Sequence, residues 1–405
     1  MIKQMKIPRL RTKNNINYKE NELLYDVQAG KLFSVFLIIN SINISLKTIW
    51  PESDITNYLS TILGIVFLIS LIRKKELLNF TFAGNIILES VFFVLIVSSI
   101  LRYPEAASRI VQRCIWTVAF CIPFLVVCRY VKSIDVFVRQ TLYASFIVTA
   151  FGILIYFNSR GLDSSSVYSM TMSYMMLFPT LLHVMQIENN KLYMVIILIE
   201  LYIITLYGSR GALFCIMAFI GFWFFLSRIN TARKLFVKTA LLIIVFITTV
   251  FLYTNADSLL SYLWMTGYSS RTLNLLLSGS GLTHDSGRSL IHQMVWERIM
   301  EKPLLGWGIY GQASFMNTYS HSIFLDLLLE YGIPVGGFIC VIIVLLLIRG
   351  VYKNITNIKY YLLFVCAGFL PLLASGTYLQ APIFWALLGL SLPSKHYFRL
   401  RIKLE

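Results

Sequence analysis

The chain has 405 residues, of which 57% are hydrophobic and only 13% charged, where soluble domains carry about 25% charged side chains. A charged side chain costs about 2.5 to 3.5 kcal/mol at the centre of a bilayer. The depletion, with a mean hydropathy of +0.72, therefore excludes an ordinary soluble enzyme and points to an all-α, polytopic membrane protein. The formal charge of +16 does not imply a nucleic-acid partner, because the basic residues lie in short loops and at the two ends, where membrane topology accounts for them.

Taken in order, residues 1–31 are polar and basic (Lys3, Lys6, Arg9, Arg11, Lys13, Lys19, Lys31), with no apolar core and no small-residue cleavage site. They read as a cytoplasmic tail rather than a cleavable signal. A span needs about 20 apolar residues, and the apolar runs predict about twelve: 32–49, 56–72, 80–101, 109–128, 134–157, 167–187, 192–207, 211–227, 237–254, 321–348, 359–375 and 377–392. The first is interrupted by Asn40, Asn43 and Lys47. With the N-terminus inside, each inside loop carries Lys or Arg and most basic residues fall inside, as the positive-inside rule requires. Both termini are then cytoplasmic. The chain divides into the tail 1–31, transmembrane helices over 32–254, one large extracytoplasmic loop over 255–320, further transmembrane helices over 321–392 and a tail over 393–405.

Cys114, Cys121 and Cys128 recur every seven residues, on one face of a regular helix. Like Cys215, Cys340 and Cys366, they sit in apolar runs and read as small core residues. The long loop contains no cysteine, so no structural disulfide is expected there. His284 and His292 lack a Cys or carboxylate at ligand spacing, and neither a metal nor another cofactor is expected.

The loop has its own order. Its first part, 255–281, is polar and rich in Ser and Gly. From Arg288 to Met300, Ile291, Met294, Val295 and Ile299 recur at helical spacing opposite His292, Gln293, Glu297 and Arg298, predicting an amphipathic helix suited to the membrane surface above a cleft. Pro303, Gly306, Gly308 and Gly311 make a turn-rich connection. The run 321–348 would be about 42 Å long as one helix, against a hydrocarbon core of about 30 Å. Gly332 and Pro334 mark the expected bend, leaving the His321 end at or above the outer surface.

These residues also form a pattern. Ser286-Gly287-Arg288, Trp296, Pro303-Leu304-Leu305-Gly306-Trp307-Gly308, His321, Phe324-Leu325 and Leu329-Glu330-Tyr331-Gly332 together resemble the motif block of the O-antigen ligase and polymerase superfamily. Gly208-Ser209-Arg210-Gly211-Ala212 resembles its upstream arginine motif. The family often has His-Asn where this chain has His321-Ser322. The resemblance implies a GT-C-like, metal-independent glycosyltransferase of the bacterial inner membrane. Its donor would be a glycan on undecaprenyl pyrophosphate. Its acceptor would be another lipid-linked repeat unit for a Wzy-type polymerase, or lipid A core for a ligase. Membrane lipid and a chain-length regulator protein are the further partners implied.

That reaction needs fixed cations at a pyrophosphate leaving group and a base at a sugar hydroxyl. Arg210 and Arg288 fit the first need, because a guanidinium stays charged and binds phosphate bidentately. His321 fits the second. Arg102, Arg109 and Arg113 cluster at the outer end of the fourth span, Arg109 and Arg113 on one face; they would contact substrate or anchor the helix at lipid headgroups. Asp326 and Glu330, also four apart, would orient loop arginines. Trp307, with Trp264, Trp296, Tyr262, Tyr268, Tyr310 and Tyr319, would stack on sugars or anchor at the interface. Glu89 and Glu200 lie within spans, where carboxylates serve a proton path or are paired structurally. A transporter or flippase is the rival class, recognisable by inverted repeats around a midplane cavity.

Overall fold

The computed structural model describes residues 13–49, 55–158, 169–207, 210–226, 287–316 and 318–393, with isolated positions between 239 and 265. The expected span at 237–254 and the first half of the long loop therefore fall almost wholly outside the described residues. Gly208, Ser209, Trp264, Tyr268, His284 and the C-terminal tail beyond 393 fall outside them too. What is described is helical, with no strand.

Helix α1 runs unbroken from Lys13 to Ile49, so residue 31 is not a structural boundary. Tyr25 and Ala29 are buried. The Tyr25 hydroxyl donates to the Val127 carbonyl at 2.9 Å. Asp26 accepts the backbone N–H groups of Lys132 at 3.0 Å and Ser133 at 2.8 Å. A polar stretch that looks like a tail is thus held by hydrogen bonds to residues about a hundred positions away.

Helices α2 (Ile55–Ile72) and α3 (Lys75–Arg102) follow. Helix α4 (Ala107–Trp116) continues through a π-helical turn, Thr117–Cys121, into α5 (Ile122–Arg129). A π turn inserts an extra residue, so the seven-residue cysteine repeat does not keep one face: Cys121 and Cys128 are buried, whereas Cys114 is half-buried. Next come α6 (Ile134–Arg139), α7 (Leu142–Asn158), α8 (Met170–Gln186), α9 (Tyr193–Leu206) and α10 (Arg210–Leu226). Later in the chain stand α11 (Arg288–Glu301), α12 (Ile323–Lys353), α13 (Ile358–Phe364) and α14 (Pro382–Ser391).

Five helical stretches among the described residues are long and apolar enough to cross a membrane: Glu22–Ile49, Ala83–Arg102, Pro104–Arg129, Ile323–Lys353 and Ile355–Leu373. Shorter apolar helices, including Leu142–Asn158 and Arg210–Leu226, pack beside them. Phe33 sits at the centre, its ring 5.1 Å from Phe124, 5.3 Å from Phe178, 5.5 Å from Phe137 and 5.6 Å from Phe364. That cluster pins α1, α5, α6, α8 and α13 together. Exposed apolar residues such as Phe93, Val94, Phe225 and Phe338 face outward, as in a body surrounded by lipid.

The expected amphipathic helix is α11. Its apolar face, with Val295 and Ile299 buried, packs against α12. The expected bend in α12 is also present: Gly332 has φ 75° and ψ 170°, a conformation open essentially to glycine alone.

Candidate functional site

The motif block forms one interlocked unit. At the break in α12 the chain loses helical hydrogen bonds, and the turn after α11 replaces them. The Trp307 N–H donates to the Leu329 carbonyl at 2.8 Å, the Gly308 N–H to the Glu330 carbonyl at 2.9 Å, and the Ile333 N–H to the Pro303 carbonyl at 2.7 Å. Two backbones approach so closely that a Cβ on Gly306 would meet the Glu330 carbonyl oxygen at 2.5 Å, and one on Gly332 would meet the Leu304 carbonyl oxygen. The two glycine motifs are therefore halves of a single joint.

Buried polar groups tie this joint to the membrane helices. Glu330 accepts the Tyr310 backbone N–H at 3.1 Å and the Tyr378 hydroxyl. The buried Tyr310 hydroxyl lies 2.8 Å from the Arg113 carbonyl and 2.9 Å from the Thr117 hydroxyl, which also reaches the Leu379 carbonyl. Asp326 takes a hydrogen bond from the Ser320 hydroxyl at 2.7 Å and lies in the electrostatic neighbourhood of Arg113. Glu330 was expected to orient loop arginines; its recorded partners are instead the tyrosines that hold the loop in place.

Trp307 is also reassigned. Its indole N–H donates to the Arg298 carbonyl at 2.8 Å. The Lys302 ammonium stands 3.8 Å over the ring, Tyr103 stacks at 5.8 Å and Phe315 packs edge-on at 5.0 Å. Only 9% of the residue remains exposed, so these packing contacts take up most of its surface.

His321 and Arg288 stand at the rim of this joint. His321 has φ 61°, a left-handed conformation uncommon outside glycine. Its ring lies 4.6 Å from that of Tyr319, and its Nδ1 is buried with no hydrogen-bond partner. Burial first, then the electrostatic influence of Arg288 and His292, holds its pKa below the ordinary histidine value of 6.5. The imidazole is thus neutral and able to accept a proton near neutral pH.

Arg288 begins α11, just after Gly287 in a left-handed turn at φ 76°. Its Nη2 reaches the Met170 sulfur at 3.8 Å, and the Ser375 hydroxyl meets the same sulfur at 3.0 Å. Met170 opens α8, and the preceding Ser169 N–H donates to the Tyr207 carbonyl at 3.2 Å. Arg210 begins α10 only three residues beyond Tyr207, at most about 11 Å along the chain. The contacts thus run from Arg288 through Met170 and Ser169 to Tyr207, three residues before Arg210.

Two contiguous cavities adjoin these residues. The smaller, about 240 Å³, is lined by Met170, Tyr319, Ser375, Thr377 and Gln380 among others. The larger, about 990 Å³, is lined by Asn40, Asn43, Lys47, Gln112, Arg113 and Gln380 among others. Asn40, Ile44, Trp116, Thr171 and Gln380 line both. Asn40, Asn43 and Lys47, which interrupt the first apolar run, therefore line a cavity. Arg113 joins the larger cavity. Arg109 lies within Arg113's electrostatic reach, while Arg102 is exposed at the end of α3.

Away from the site, Glu200 pairs with the His183 Nδ1 at 2.8 Å, with both side chains fully buried, and Thr149 donates to the same carboxylate oxygen at 2.5 Å. This matches a structurally paired carboxylate. Among the described residues no cluster of three or more His, Cys, Asp or Glu is arranged to hold a metal.

No curated protein and no solved structure matches this chain. Residues 193–341 match the family model described as O-antigen ligase. That segment, less than half of the chain, runs from α9 past Arg210 to the Gly332 joint and on into α12, and the match supports a likeness to the O-antigen ligase/polymerase superfamily.

Proposed function

We propose that the protein is a glycosyltransferase that polymerises lipid-linked repeat units of an O-antigen, capsule or exopolysaccharide. The growing glycan leaves undecaprenyl pyrophosphate and passes to a hydroxyl of an incoming lipid-linked unit. His321 accepts the hydroxyl proton as the oxygen attacks the anomeric carbon. The bond from that carbon to the pyrophosphate oxygen breaks, and the departing oxygen keeps the electron pair. Arg288 and Arg210 bind the pyrophosphate and offset its developing charge.

The observation that carries this reading is a half-buried imidazole whose Nδ1 has no hydrogen-bond partner, within electrostatic reach of the Arg288 guanidinium and beside Tyr319 and Met170, which line a cavity. The family match to O-antigen ligase favours a second reading in which the acceptor is lipid A core and the donor chemistry is unchanged. Both readings place the work at the outer face of the bacterial inner membrane with both termini in the cytoplasm.

Deleting the gene separates them. Single repeat units on lipid A core support the polymerase. Bare core with accumulated lipid-linked polymer supports the ligase. Unaltered surface glycan of every kind refutes both.

A further inference from the structure

We propose that Lys47, Arg113 and the carboxamides around them form a second head-group subsite, which takes the pyrophosphate of a second lipid-linked glycan while the first is held at Arg288. The inference rests on the transfer reaction above and extends it to where the acceptor's lipid end sits.

The argument begins with the lining. The larger cavity carries two cationic side chains, Lys47 and Arg113, and the amides of Asn40, Asn43, Gln112 and Gln380. No carboxylate lines it. Lys47 is exposed and makes no hydrogen bond or ion pair among the described residues. A chain that thins its charges to suit lipid keeps this lysine in the last turn of an apolar helix. Such cations sit where they meet an anion or water. Cations with amide donors and acceptors, and no acid, fit a phosphorylated sugar head group rather than a neutral glycan or a metal ion.

Position supports the assignment. Gln380 and Thr171 line both cavities, so the Lys47 region is continuous with the space beside Tyr319, Met170 and hence His321 and Arg288. At about 990 Å³, the larger cavity is at the upper end of the range of ligand pockets, roughly 300 to 1,000 Å³. It has room for a head group beyond a bare pyrophosphate. A transfer between two lipid-linked substrates requires a place for each head group, with the acceptor's glycan reaching from its own head group to the base.

The shared chemistry, a phosphate head group on a lipid, could come from a bulk phospholipid as well as from a polyprenyl pyrophosphate. The test therefore uses both. The full-length protein, purified in detergent, is titrated with undecaprenyl pyrophosphate and the bound molecules are counted by native mass spectrometry. The wild type is expected to bind two, Lys47→Met one, Arg288→Ala one, the double variant none, and Lys47→Arg two. A wild type that saturates at one, or a Lys47→Met protein that still binds two, overturns the inference. Displacement of the Lys47-dependent molecule by equimolar phosphatidylglycerol assigns the subsite to bulk lipid and overturns it as well. If Arg288→Ala keeps two while Lys47→Met keeps one, this subsite stands and the assignment of Arg288 to the donor fails. Should Lys47→Met not elute as a single species, Gln380→Ala replaces it, with the same loss expected and unchanged binding counting against the subsite.

Discussion

Replacing Gly332 by alanine tests the joint on which the site is built. Gly332 holds φ 75° and ψ 170°, and an alanine forced into that region costs about 2 kcal/mol. Its Cβ would also press on the Leu304 carbonyl oxygen and lie 2.8 Å from that of Pro303. Both atoms are backbone, so the turn must move away from α12. Moving it strains or breaks the three bonds that link Trp307, Gly308 and Ile333 to their carbonyl partners, each worth about 1 kcal/mol net. The sum is about 5 kcal/mol, or a fall of about 6 °C in the unfolding midpoint of a chain of 405 residues. Gly337 is the control: it lies in the same helix, and a Cβ there meets nothing within 4 Å. Gly337→Ala should be neutral or slightly stabilising. Fluorescence-detected unfolding of the two purified variants in one detergent decides the matter. Equal midpoints for Gly332→Ala and Gly337→Ala would refute the idea that the two glycine motifs form a strained, close-packed joint.

Further predictions concern individual side chains. Trp307→Ala should lower stability by about 3 to 5 kcal/mol and leave acceptor affinity in the surviving folded protein unchanged; a selective loss of acceptor affinity with normal stability would restore the sugar-stacking role. Tyr310→Phe removes the hydroxyl that meets Arg113 and Thr117 and should cost about 2 kcal/mol, read as a lower unfolding midpoint with activity retained below it. Because His321 titrates below 6.5, activity should rise with pH through that depressed value and be flat by neutrality. Arg288→Gln removes one of the charges that lower it, so the acidic limb of the residual activity should move up in pH. An unmoved or downward-shifted limb contradicts the coupling between the two side chains.

The parts of this fold that are visible in the sequence are those with a local physical cause. The α11 helix shows itself through Ile291, Met294, Val295 and Ile299, because periodic burial is a local pattern. The break at Gly332 is legible because glycine and proline limit the backbone whatever surrounds them. Helix α1 is misread at its start because Asp26 and Tyr25 look like solvated residues until Lys132, Ser133 and Val127 arrive to bond them. The π turn at Thr117 leaves no mark, since its residues are as apolar as their helical neighbours.

The candidate site divides in the same way. His321 and Arg288 stand out as polar residues in an apolar chain, and the structure brings them into electrostatic contact. Trp307 and Glu330 stand out equally, yet the structure uses them to hold the loop, because residue type alone does not say which way a side chain faces. Asn40, Asn43 and Lys47 carried a usable signal. Three polar residues within one apolar span, near its end, are costly unless they line a cavity.

The claim at the centre of this account is that His321 takes the acceptor's proton. It is tested most directly by reconstituting the full-length protein in vesicles with its lipid-linked repeat unit and measuring initial rates of chain elongation for the wild type and His321→Ala. Loss of a positioned general base should reduce the rate by about 10²- to 10⁴-fold, with the variant still folded and still binding the donor. Elongation by His321→Ala at the wild-type rate would contradict it.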